Sequence, residues 1–265
     1  MHLLYCDESN LESRRGDFLL YAGVAIQQDR APALSAHIDQ IRAEAGIPPT
    51  FNLKFNPAPP GMLHSDFIGV KQAILASMVE HGVGLLAYAV LHDVARDPDE
   101  ARRSGINTVL FHFDCLLNRY GEGPGIVLID RFNDAGNIID HHLVSKFSEG
   151  VTFPNSNGPY RLRNILGVHY SAIGQSHFAS LVDIAVGSLR FAINAHCRQE
   201  ANKLASANNI LQLLRPLLIR DNDGRVSELG FMFSPKTVNF PPYRAKYVGL
   251  KQFLAAAGIE TAQNV

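Results

Sequence analysis

Three carboxylates in this sequence are delivered by apolar elements, one each. Asp7 closes the run Leu3–Cys6, Asp130 closes Ile126-Val-Leu-Ile129, and Asp183 sits within a helical stretch whose stripe is Phe178, Leu181, Val182, Ala185, Leu189 and Ile193. In an α/β sheet, sites form at the carboxyl ends of strands. Two strand-end carboxylates on adjacent parallel strands lie close together, and like charges at that separation repel unless a cation or a proton relieves them. A donor set made of oxygen alone suits Mg²⁺ or Mn²⁺. Two such carboxylates can also work as general acid and base without a metal.

The elements that must position them follow from periodicity. Leu3 to Asp7 reads as a strand, followed by a charged loop and then Phe18–Ile26, which is apolar on both faces as a central strand is. The two are expected to pair antiparallel. Pro32–Ala45 reads as a helix stopped by Gly46, and five prolines within 48–60 exclude a helix there. Ser65 is placed to cap a helix over 66–81. Val83–Leu91 is a second buried strand, and Asp97 opens a helix running to Tyr120. Gly121-Glu-Gly-Pro-Gly125 breaks that helix before the strand 126–130. A helix over 137–149, an extended segment over 161–170 and a long helix over 176–196 follow. The remainder reads as a helix over 201–219 that accommodates Pro216, a turn at 221–224, a Pro-rich stretch and a closing helix over 245–257. Strands alternating with helices predict an α/β sheet of mixed polarity.

Ser176, Ser180, Asp183, Gly187 and Arg190 recur at spacings of three and four, a small polar face that can approach a charged site closely. Spacing alone favours a solvated face.

The chain has 265 residues, 46% apolar and 18% charged, with net charge −1. Such a composition belongs to a packed globular protein and excludes nucleic-acid binding by bulk charge, while leaving local basic patches open. Cys6, Cys115 and Cys197 make no C-x-x-C pattern, and Cys115 and Cys197 read as core thiols. The start MHLLYCDES has no basic n-region, and no run approaches about 18 uninterrupted apolar residues. A cytoplasmic chain without a membrane span is expected.

Taken in order, these motifs resemble a family. Tyr5-Cys6-Asp7-Glu8-Ser9 followed by Phe18-Leu-Leu-Tyr-Ala-Gly-Val is similar to the opening of the bacterial proteins called domain of unknown function 3800. Asn52-Leu53-Lys54-Phe55 resembles their mid-chain lysine motif, Val127-Leu-Ile-Asp130 their apolar strand with a terminal Asp, and Ser180-Leu-Val-Asp183-Ile-Ala-Val-Gly187 their late helix. The resemblance covers roughly 1–195. Asn10 stands where the family usually has Gly, and Asn tolerates left-handed backbone better than most residues. Ser180 stands for the usual Gln, which removes a long amide from the implied site.

The resemblance implies a ribonuclease-H-like mixed sheet flanked by helices, formed by 1–198, with 199–265 as a helical extension packed on that core. It implies hydrolysis of phosphodiester bonds with Mg²⁺ or Mn²⁺, where two ions about 4 Å apart activate water and stabilise the leaving oxygen. Asp7, Asp130 and Asp183 would be the catalytic metal ligands, Lys54 would meet a phosphate or a site carboxylate, and the implied partner is nucleic acid. Glu8 points away from Asp7 if the strand continues. Were Val83–Leu91 the neighbour of the first strand, His92 or Asp93 would replace Asp130 at the site edge. The alternative function is a non-catalytic scaffold of the same fold, binding a protein or nucleic-acid partner.

Other groups carry less. His141 and His142 point about 100° apart on a helix and suit a loosely packed surface, as does His177, off the Asp183 stripe. No G-x-S-x-G elbow, dinucleotide or P-loop signature occurs. Arg14, Arg15, Arg161 and Arg163 lie on segments that could flank the carboxylate edge and track a phosphate backbone.

Overall fold

A computed structural model describes residues 1–12, 14–121, 123–130, 136–153 and 156–265. The runs of β-branched and aliphatic residues form six strands: β1 (His2–Ser9), β2 (Phe18–Gln27), β3 (Gly84–Leu91), β4 (Gly125–Asp130), β5 (Ile165–Ser171) and β6 (Phe231–Ser234). They make one sheet in the order β5-β4-β1-β2-β3-β6. β1, β2 and β3 form an antiparallel meander, whereas β4 runs parallel to β1, β5 parallel to β4 and β6 parallel to β3. β1 extends two residues past Asp7, because Glu8 and Ser9 continue the ladder opposite Tyr21 and Leu20. The sheet is α/β with mixed polarity, as the alternation of elements predicts.

Helices cover both faces. α1 (Ala31–Glu44), α2 (His64–Glu80), α5 (His177–Cys197), α6 (Leu204–Leu214) and α7 (Pro241–Ala256) share one side, with α5 lying across β1 and β2. α3 (Pro98–Tyr120) packs on the other side, and α4 (Ile138–Glu149) packs on α3. Strand alternation sorts β1 between the two cores: Tyr5 enters the α5 side, Leu4 and Cys6 the α3 side. By the same alternation Asp7 faces α5 and Glu8 faces α3.

Some boundaries differ from expectation for local reasons. Asp97 caps α3, its carboxylate accepting the Glu100 N–H at 2.7 Å. Ser65 does not cap α2; Leu63 holds that position, and the Ser65 hydroxyl bonds Asp66 instead. The single helix expected over 201–219 is broken: α6 ends at Leu214 and a 3₁₀ turn, Arg215–Leu217, carries Pro216, which has no N–H to continue the ladder. The last helix begins at Pro241 rather than 245, since prolines fit a first turn whose N–H groups are unpaired anyway. Of the turn 121–125, Gly121 is the left-handed C-cap of α3, while Glu122 lies outside the described residues.

The segment 199–265 departs from a purely helical extension. It packs through Leu211, Leu214, Tyr247, Leu250 and Leu254, and it also supplies β6, whose Phe231 and Phe233 are fully buried. Four residues of alternating Phe-Met-Phe are too short to announce a strand, and only pairing with β3 reveals it. Cys115 and Cys197 are half-buried rather than core, and only Cys6 is fully enclosed. α5 is the one helix among the described residues long and apolar enough to cross a membrane; here 72% of its apolar window is buried inside the protein.

The turn after β1 is pinned by Asn10. Its φ is +60°, its amide donates to Phe18 O at 2.9 Å and exchanges hydrogen bonds with the Asn194 amide on α5 at 2.8 and 3.1 Å. We expect Asn10→Ala to cost about 2 kcal/mol, from lost hydrogen bonds and left-handed strain, and Asn10→Gly to cost less because Gly keeps the backbone. Urea denaturation of both variants checks the order.

Candidate carboxylate site

Register places the first two carboxylates. Cys6 pairs with Ile129 across the parallel β1–β4 ladder, so the next step on each strand sets Asp7 beside Asp130. Parallel neighbours lie about 4.8 Å apart and point to the same face. That face is covered by α5, and α5 carries Asp183. The neighbour of β1 on this side is β4; β3 pairs with β2 instead. His92 and Asp93 therefore do not take Asp130's place. Asp93 accepts the Gly16 N–H at 2.6 Å and pairs with Arg15 at 3.7 Å, and His92 Nε2 meets Asn10 O at 2.7 Å. Both secure the loop between β1 and β2.

The electrostatics report the convergence. Burial pushes the Asp7 carboxyl well above the usual range, and the charges of Glu8, Asp183 and Asp130 push it further, against one opposing hydrogen bond from the Glu8 N–H at 2.8 Å. Asp183 is raised by burial and lowered in turn by the Phe55 N–H, Lys54 and Arg190. The three carboxylates are not among the side chains whose ligand atoms all lie within 4.8 Å of one another.

The segment 52–55 is brought onto α5 by two fitted contacts. The Phe55 N–H donates to Asp183 Oδ2 at 2.6 Å. One turn on, Gly187 leaves room for the Phe55 ring: a Cβ there would lie 2.5 Å from Phe55 Cγ. Asp183 and Gly187 thus hold the backbone and the side chain of the same residue, which places Lys54 where its charge acts on Asp183. Beneath, Lys71 is 7% exposed, its ammonium 4.2 Å from the Phe55 ring centre and 3.3 Å from Phe55 O. Lys71 and Arg190 support the segment, and the sequence singled out neither as doing so. The signal was present in the four-residue spacing of Asp183 and Gly187, but its partner lies 128 residues away.

The stripe Ser176, Ser180, Asp183, Gly187, Arg190 is therefore not a solvated face. Ser180 and Gly187 are buried, because β1 and the segment 52–55 cover them. Glu8 lies on the far side of the sheet as alternation requires, 3.5 Å from Arg102 of α3. Its carboxyl is raised by burial and lowered by Arg102. We expect Glu8→Gln to leave divalent-ion affinity within about twofold and stability at pH 7 within about 1 kcal/mol, since relief of a buried charge offsets the weakened 3.5 Å pair with Arg102, which keeps Asp99 at 2.8 Å; titration and thermal melts of the variant check both.

Of the four arginines expected to flank the site, Arg14, Arg15 and Arg161 have protein partners and Arg163 is exposed. Arg14 lies 4.0 Å from Asp17, Arg15 pairs with Asp93, and Arg161 donates to Ser148 O. His177 pairs with Asp39 at 2.8 Å. His142 bonds Asn107 at 2.8 Å and is pushed down to about 4 by burial, so it is packed, whereas His141 is exposed.

Comparison of the chain with protein-family models, with curated proteins and with solved structures finds no match.

Proposed function

We propose that this chain is a divalent-metal-dependent phosphodiesterase, a nuclease in the first instance, on a ribonuclease-H-like sheet. The observation that carries the reading is geometric: the β1–β4 register sets Asp7 beside Asp130, on the face that α5 covers with Asp183, near enough for the charges of Asp130 and Asp183 to act on Asp7. The fold assignment is supported by the meander β1–β2–β3 with β4 and β5 parallel to β1, and by the position of the carboxylates at the ends of two parallel strands. The order of motifs that resembles domain of unknown function 3800 supports it too.

The residues fit the ion that the resemblance implies. The donors are carboxylate oxygens, which Mg²⁺ and Mn²⁺ prefer. Asp7, Asp130 and Asp183 would hold it, and relief of the Asp7 repulsion would favour its binding. A divalent ion supplies Lewis-acid polarisation of a phosphoryl oxygen and a bound water of lowered pKa. The chain's own residues do the rest. The Phe55 N–H orients Asp183, and Lys54, half-exposed beside Asp183, binds a non-bridging phosphate oxygen. We expect Lys54→Met to raise KM about tenfold with little change in kcat, because a substrate charge contact is made in the ground and transition states alike.

The test is hydrolysis of single- and double-stranded DNA and RNA with Mn²⁺ or Mg²⁺. Cleavage that chelator abolishes supports the reading. Cleavage indifferent to chelator would replace it with metal-free acid–base chemistry, and binding of nucleic acid without cleavage in any condition would replace it with the scaffold.

A further inference from the structure

Outside the carboxylate site, three ligand-type side chains meet on the helical face. His37 comes from α1, and Glu80 and His81 end α2. All three ligand atoms lie within 4.8 Å of one another. We propose that His37, Glu80 and His81 form a zinc-type transition-metal site that ties α1 to α2.

The distances carry this. Tetrahedral zinc binds imidazole nitrogen at about 2.0–2.1 Å, which sets neighbouring donors about 3.3 Å apart. His37 Nδ1 and His81 Nε2 stand 3.3 Å apart, already at that separation. The contact is longer than the usual range of a hydrogen bond to a ring nitrogen, and the rings are inclined at 75° rather than stacked. Glu80 Oε2 lies 3.7 Å from His37 Nδ1, and its side chain is 68% exposed, so a small rotation completes the set. Glu80 and His81 leave the end of α2 about 100° apart, and His37 of α1 stands between them, so that the three ligand atoms converge within 4.8 Å.

The backbones are fixed in advance. Leu34, Ile38 and Ile41 anchor α1, and Ile74, Leu75 and Met78 anchor α2 in the same core. The His81 N–H closes onto Ser77 O at 3.0 Å, and the Val83 N–H onto Met78 O at 2.9 Å, which locks the end of α2. Preorganisation of this kind lowers the ordering cost of binding. Two imidazoles and one carboxylate suit Zn²⁺ over Mg²⁺, and three protein ligands leave a fourth position for water or another donor. The site shares no residue with Asp7, Asp130 or Asp183 and does not depend on the function proposed for them.

The experiment is titration of Zn²⁺, and of Co²⁺ as a spectroscopic probe, into the 265-residue chain carrying Asp7→Asn, a background that removes one ligand of the proposed carboxylate site. We expect one Zn²⁺ per chain, a Co²⁺ spectrum of tetrahedral type, and at least tenfold weaker binding when His37→Ala or His81→Ala is added. His37 lies mid-helix on a half-exposed face, so His37→Gln serves as a second variant whose fold circular dichroism verifies. Folded Asp7→Asn protein that binds no Zn²⁺, or binding unchanged by both histidine substitutions, would overturn the proposal.

Discussion

Asp7→Asn is expected to lower metal-dependent phosphodiesterase activity on the order of 10³-fold and, at the same time, to raise the melting temperature. On the proposed function, the first effect follows from loss of a metal ligand worth several kcal/mol of transition-state stabilisation. The second follows from the environment of Asp7. The folded chain buries this carboxyl among Glu8, Asp130 and Asp183, so it holds its proton to a higher pH than the unfolded chain does. For an acid raised in this way, stability is lost as pH climbs from about 4 through the folded value. Asn keeps the shape without the charge. The gain should be about 1–3 kcal/mol, a few degrees in Tm, at pH 7 and should vanish near pH 4. Thermal melts across pH and an activity assay on the same preparation check the pair. Adding Mn²⁺ should stabilise the wild type and leave Asp7→Asn unchanged at that site. A site residue that costs stability and supplies activity is the signature expected of function.

Gly187→Ala should damage the site from outside it. The new Cβ would stand 2.5 Å from Phe55 Cγ and 2.6 Å from Phe55 Cβ, contacts that cannot persist, so either Phe55 or α5 must move. Overpacking of this kind costs about 1–3 kcal/mol. The larger effect is on activity. Displacing Phe55 breaks its N–H bond to Asp183 and carries Lys54 with it, and a misplacement near 1 Å at a reacting centre costs about 10²-fold. Gly69→Ala is the control: it lies on the exposed face of α2 with nothing within 4 Å of a new Cβ, and it should stabilise by about 0.5–1 kcal/mol without touching activity. Equal behaviour of the two variants would show that the Gly187 contact positions nothing.

The contrast between these residues shows what a sequence discloses here. Asp7 and Asp130 are legible because each ends an apolar run, and strand periodicity fixes the face each one takes. Asn10 is legible as a residue suited to left-handed backbone, and its φ of +60° agrees. The partners of α5 are not. A polar stripe that a sheet and a crossing segment cover has the same spacing as one that faces water, so Ser180 and Gly187 read as surface although they are buried. The tie between Asp183 and Phe55 and the pairing of β6 with β3 span long stretches of chain, and no local pattern announces them. The His37 pair has the same character, since two single histidines 44 residues apart become a cluster only when α1 packs on α2.

The central claim is that Asp7, Asp130 and Asp183 form one cation site. Calorimetric titration of Mn²⁺ into wild type, Asp7→Asn, His81→Ala and the two combined tests it most directly. The account predicts binding to the wild type and to His81→Ala with similar affinity, and at least a hundredfold loss when Asp7→Asn is combined with His81→Ala. Mn²⁺ binding of undiminished affinity in Asp7→Asn combined with His81→Ala, or loss of binding in His81→Ala alone, would contradict it.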